Sequence, residues 1–180
     1  MRLFMLLTTM VVTLFCSCGR NTNYEKTKAF EDKGIKFHQM IAQRNLEEAL
    51  AYSDTLITEY PEYPEFYFMR GWVFDQLNDT VKKREAFMSA RKFYDKRLAN
   101  SNSLYDAINR AFVTQILFGM DAYRKETDSL KLHRHEDFEK DPGAKWIVDS
   151  INYELVKDEL FNTGVVFITR DSLDILLNSK

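Results

Sequence analysis

From Tyr24 to Tyr94 the apolar residues recur at helical spacing, which restricts this stretch to helices that each bury one stripe. Phe30, Ile35, Phe37, Met40 and Ile41 mark a first stripe that ends near Arg44-Asn45. Leu46, Ala49, Leu50, Leu56 and Ile57 mark a second, which stops at Tyr60-Pro61. Proline lacks the amide donor and disfavours helix at the residue before it. Pro64 opens a third helix, where a missing N–H costs nothing, and Phe66, Tyr67, Met69, Gly71, Val73, Phe74 and Leu77 lie along it. Asn78-Asp79-Thr80 supplies a turn and a cap. Val81, Ala86, Phe87, Ala90, Phe93 and Tyr94 then line a fourth helix. With only 6 Gly and 3 Pro in 180 residues, the chain has little material for the turns of a strand-rich sandwich. The expected fold class is all-α, built from antiparallel helical hairpins.

The hairpins resemble a known repeat. Asn45-Leu46-Glu47-Glu48-Ala49-Leu50, with Pro61 twelve residues after Ala49, resembles the second half of a tetratricopeptide repeat. Gly71, Phe74, Phe87 and Ala90 fall at that family's small, aromatic, aromatic and small positions, on its 34-residue period. Small residues let two helices approach closely, and aromatics fill the space to the next pair. Lys33 and Lys36 stand where the first repeat usually carries apolar residues, and Ser53 replaces an aromatic. The resemblance implies a short solenoid over residues 26–99, with a degenerate C-terminal part over residues 100–180.

In that second half, Asn100-Ser101-Asn102-Ser103 breaks the chain and offers a cap. Residues Leu104 to Phe118 are apolar on much of their circumference, as a buried helix would be. Gly119 ends or kinks it, and Asp121 to Leu132 form the expected hairpin partner. Residues 133–143, closing on Asp141-Pro142-Gly143, read as a loop. Trp146, Ile147, Ile151, Leu155 and Leu160 mark one more amphipathic helix, serving as a cap. Val165 to Thr169 has the composition of a strand, and either packs on the helices or pairs with another chain. Asp171-Ser172 is placed to cap a last helix through Leu177.

The N-terminus carries a different signal. Arg2 and the terminal amine precede an apolar run from Leu3 to Phe15, shorter than the ~20 residues of a membrane span. Phe15-Cys16-Ser17-Cys18 resembles the lipobox of bacterial lipoproteins, with Ser17 as the small residue before the modified cysteine and Phe15 in place of the commoner Leu. The resemblance implies a signal peptide over residues 1–17, acylation of Cys18 and a polar tether over residues 18–25. It also implies partnership with a lipid bilayer through Cys18, with the outer membrane facing the periplasm as the expected home. Each buried methylene of the acyl chains is worth about 0.8 kcal/mol, so several chains make a lasting anchor. Both of the chain's 2 cysteines lie in this segment, so a body cleaved there would carry no thiol beyond the acylated one.

Composition and motifs narrow the function. The formal charge is -2, which gives no electrostatic reason to seek nucleic acid. Lys82-Lys83-Arg84 is flanked by acids and reads as a solvated helix face. No Gly-x-Ser-x-Gly elbow, phosphate-cradling loop or His-Glu-x-x-His occurs. His133-Arg134-His135 with Glu136 and Asp137 is the densest group of ligating side chains. It lacks a third ligand at a diagnostic spacing, and Arg134 opposes a cation. The expectation is a protein without catalytic residues, metal or cofactor.

The tetratricopeptide resemblance instead implies a concave ligand face on the first helix of each hairpin. Carried over by position, Glu31, Gly34, His38 and Ile41 line it from one repeat, and Glu65, Phe68, Trp72 and Asp75 from the next. Two readings of Phe68 and Trp72 stay open: stacking on a peptide or sugar, or packing in the core. The expected role is a membrane-anchored, non-catalytic adaptor for an envelope protein or peptide. The alternative is a small-ligand lipoprotein with an aromatic pocket for a glycan or peptide fragment; an envelope hydrolase ranks below both.

Overall fold

A computed structural model describes residues 32–37, 39–150 and 152. The signal segment, the tether, Cys18, Glu31, His38, Ile151 and everything expected beyond residue 152 lie outside the described residues. The chain divides into two units, residues 1–38 and 39–180. In the first, residues 32–37 are helical and Phe37 is buried. In the second, residues 39–42 are helical and lead to α1 (Leu46–Glu59), α2 (Pro64–Gln76), α3 (Thr80–Leu98), α4 (Leu104–Phe118), α5 (Met120–His133), α6 (His135–Lys140) and α7 (Pro142–Ser150). No strand occurs among the described residues. The fold class is all-α.

Local chemistry sets the breaks. Arg44 and Asn78 both take left-handed backbone, with φ of 63° and 58°. At each, the same two bonds close the preceding helix: Arg44 N–H to Ile41 O and Asn45 N–H to Met40 O, then Asn78 N–H to Asp75 O and Asp79 N–H to Phe74 O. These satisfy orphan carbonyls in the Schellman manner. The side chain of Asp79 then accepts from Lys82 N–H and starts α3. Ser103 accepts from Asp106 N–H at 3.2 Å and starts α4. Gly119 alone separates α4 from α5, at φ 88° and ψ 178°, a region essentially reserved for glycine. A Cβ there would meet nothing within 4 Å, so a side chain would cost backbone strain only. Gly119→Ala is expected to lower unfolding stability by roughly 1–2 kcal/mol; an unmoved urea midpoint would contradict this account.

Two expectations are corrected in the second half. The stretch read as a loop over residues 133–143 contains α6, which buries Phe138. Asp141-Pro142-Gly143 starts a helix rather than a loop. Asp141 Oδ1 accepts from Ala144 N–H at 3.1 Å, so it serves as the cap, and Pro142 is the first helical residue. Its other oxygen accepts from Tyr105 Oη at 2.7 Å, which ties α7 to α4. Apolar periodicity also overstated burial in places. Val81 and Trp146 are exposed, each on the outer face of its helix.

Each helix packs against the next in chain order. The pairs α2 with α3 and α3 with α4 are antiparallel, as their contacts run in opposite directions. Asp75 meets Lys83, Gly71 meets Phe87 and Tyr67 stacks on Phe93 across α2 and α3. Arg97 meets Asp106, Arg91 meets Thr114 and Arg84 meets the Leu117 carbonyl across α3 and α4. The core runs along this stack through Leu56, Phe66, Met69, Trp72, Phe87, Tyr94, Ile108 and Ile147, all essentially without solvent contact. Ser53, small where an aromatic was expected, is fully buried, and its hydroxyl donates to the Leu50 carbonyl at 2.7 Å.

Buried phenols add a pH dependence. Tyr123 donates to the Val148 carbonyl at 2.9 Å and joins α5 to α7. Burial, with the charges of Asp149 and Glu126 adding to it, pushes its pKa up to about 12. Burial likewise holds Tyr94 well above the ordinary tyrosine value. The neutral phenol is the form the fold accepts, so its contribution is whole below pH 10 and is lost as pH climbs toward 12. Tyr123→Phe is expected to flatten the fall in urea midpoint across that window. An equally steep fall in the variant would count against the assignment.

Candidate functional site

Gly34 is half-buried in the first unit, and in the second unit the expected groove residues Ile41, Glu65, Phe68, Trp72 and Asp75 do not form an open face. Ile41 and Trp72 are each 1% exposed, inside the core. Phe68 lies edge-on to Phe87 of α3 at 5.3 Å and stacks with Phe112 of α4 at 6.1 Å, so three helices meet over it. Asp75 holds Lys83 Nζ at 2.6 Å. Glu65 is 9% exposed and is taken up by Arg97, which also holds Asp106 at 2.6 Å. Burial acts to lower the Arg97 pKa, but the hydrogen bond and charge of Glu65, joined by those of Asp106, outweigh it and leave the group above its ordinary value. Of the two readings left open for Phe68 and Trp72, their burial is that of core packing. Their neighbours are large enough to close over them, and ring area that would stack on a ligand is spent inside the protein.

An open concavity lies elsewhere, where α4, α5 and α6 meet. It is a cleft of about 750 Å³. Ala107 of α4 and Ala122 of α5 keep its sides short, while Arg110, Lys125, Glu126 and Arg134 give it charge. A lattice of polar bonds fixes most of these groups. Arg110 bridges Asp95 of α3 and Glu126 of α5, both at 2.9 Å. Thr114 donates to Glu126 at 2.8 Å and accepts from Arg91 Nε at 3.2 Å. At the far end, Arg134 pairs with Asp137 at 2.6 Å and donates to the Asn102 carbonyl at 2.8 Å, which fastens the α5–α6 turn to the segment before α4.

His133 and His135 do not form a shared site. They sit on different helices, with Arg134 engaged between them. His133 Nδ1 lies 2.7 Å from the Ser129 carbonyl, and His135 faces Glu139. No group of three or more His, Cys, Asp or Glu side chains is placed to hold a metal among the described residues. No described helix is long and apolar enough to cross a membrane.

The sequence contained one signal for the cleft that the repeat pattern hid. Lys125, Ser129 and His133 follow at four-residue spacing, which puts them on one face of α5. The partners that complete the cleft come from α4 and α6, and no spacing rule joins those to α5.

Comparison with protein-family models, with curated proteins and with solved structures returned no match.

Proposed function

We propose that this chain is a lipid-anchored protein of the bacterial envelope whose tetratricopeptide-like body serves as a non-catalytic adaptor for a protein or peptide. The observation that carries the reading of the body is the pair of helix breaks at Arg44 and Asn78. They stand 34 residues apart, the family's period, and are closed by identical backbone bonds. The close approach of Gly71 to Phe87 supports it further, since a Cβ on Gly71 would come within 3.1 Å of the ring. The next break within a hairpin, at Gly119, falls 41 residues after Asn78, because α3 is long, so the third hairpin departs from the period. The anchor rests on Ser17-Cys18 after the apolar run. Tethering would confine the module near its partners and raise their effective concentration.

In this reading the contact surface moves from Phe68 and Trp72 to the cleft of α4, α5 and α6, which is open and charged. Two measurements on envelopes test the proposal. Mass analysis of the mature N-terminal peptide should find an acylated Cys18. A photo-crosslinking residue in place of Ser129 should capture one polypeptide in stoichiometric yield. An unmodified or uncut N-terminus overturns the anchor, and absence of any crosslinked polypeptide overturns the adaptor role.

A further inference from the structure

We infer that the cleft between α4, α5 and α6 is a docking site for a carboxylate-bearing peptide segment, received at Lys125. This rests on the adaptor reading and names the chemistry of its partner. Charge accounting inside the cleft carries it. Arg110 is balanced by Asp95 and Glu126, with Arg91 sharing Asp95, and Arg134 is balanced by Asp137. Lys125 is left over. Among the described residues it is the one lysine with no carboxylate, ring or other partner in contact: Lys82, Lys83, Lys96, Lys131, Lys140 and Lys145 each face an acid, Lys92 lies over Phe93, and Lys33 and Lys36 are engaged as well. Among the described residues, lysines that are otherwise consistently engaged leave this one unpaired on the wall of the cleft.

The rest of the cleft suits a polypeptide. Its volume of about 750 Å³ lies within the usual range for a bound ligand. Ala107 and Ala122 admit backbone to close range. Ser129, exposed and one turn beyond Lys125, supplies a hydroxyl that donates or accepts toward main-chain groups. Because the arginines are already held by carboxylates, they keep their positions when a ligand enters, and little ordering cost falls on the protein. One free cation selects a negative group without drawing in polyanions, as a bare arginine cluster would.

The test uses the full chain in detergent micelles and three dye-labelled peptides read by fluorescence anisotropy. One is a short helical peptide with glutamates one turn apart and an amidated end. The second replaces every glutamate by glutamine. The third is the glutamine peptide with a free C-terminal carboxylate. Binding of the first, with Lys125→Glu raising Kd by about tenfold and Lys140→Glu changing it less than about twofold, is the expected result. Binding of the third alone assigns the site to a chain terminus and keeps the inference. Equal binding of the amidated glutamine peptide, equal effects of the two lysine variants, or no binding overturns it. If acidic peptides fail while the Ser129 crosslink still captures a partner, this inference falls and the adaptor reading stands. If they bind through Lys125 while the envelope experiments fail, the reverse holds.

Discussion

Phe87→Ala is expected to remove about 3–5 kcal/mol of unfolding stability. Phe87 has no solvent contact, lies flat over Gly71 and meets Phe68 edge-on. Truncation leaves a void bounded by two helices whose spacing is set by the missing ring, so collapse would be incomplete. The urea midpoint should drop while the slope of the transition stays constant, as expected when the surface exposed on unfolding is unchanged. The converse variant probes the same contact. Gly71→Ala pushes a methyl to 3.1 Å from three ring carbons and should cost about 1–3 kcal/mol by overpacking. Combined, the two should cost less than their sum, because the methyl then enters space the ring has vacated. Strict additivity would show that the two residues do not share one contact.

Arg97→Met is the second large effect, at about 3 kcal/mol. The side chains of Glu65 and Asp106 keep only 12% and 14% of their surface in water, and Arg97 links them across α2, α3 and α4. Removing the cation leaves two carboxylates facing each other without compensation. Glu65→Gln with Asp106→Asn in the Arg97→Met background should return much of the loss, since neutral amides do not repel. If the triple variant is no more stable than Arg97→Met, packing rather than charge accounts for the arginine. Exposed pairs such as Lys140 with Glu136 should be nearly silent by comparison.

Much of the helical order was legible because its signals are local. Pro64 at a helix start, Asn78-Asp79 at a break and the span Leu104 to Phe118 are all found where the sequence put them. The helix α6 was not legible, since His135 to Lys140 offers a single buried apolar residue and no periodicity. Asp141-Pro142-Gly143 was misread because the same three residues suit a turn and a capped helix start, and only the Ala144 amide decides between them. The burial of Phe68 and Trp72 was hard to read for a different reason. Position within a repeat specifies which way a side chain points, whereas its exposure depends on the bulk of Phe87 and Phe112 from other helices. The solitude of Lys125 is likewise a property of three dimensions, since acids lie close to it in sequence.

The chain-order packing of α1 through α5 has a kinetic meaning. When each segment finds its partner in the segment just made, little loop entropy is spent before contacts form, and the search for the native state is short. The same economy leaves few ties between helices far apart in the chain; among the described residues Tyr105 and Tyr123 bind α7 back to α4 and α5. Amide exchange should therefore be graded, slowest along α2, α3 and α4 and quicker toward either terminus, so that the body frays from its margins inward rather than melting everywhere at once.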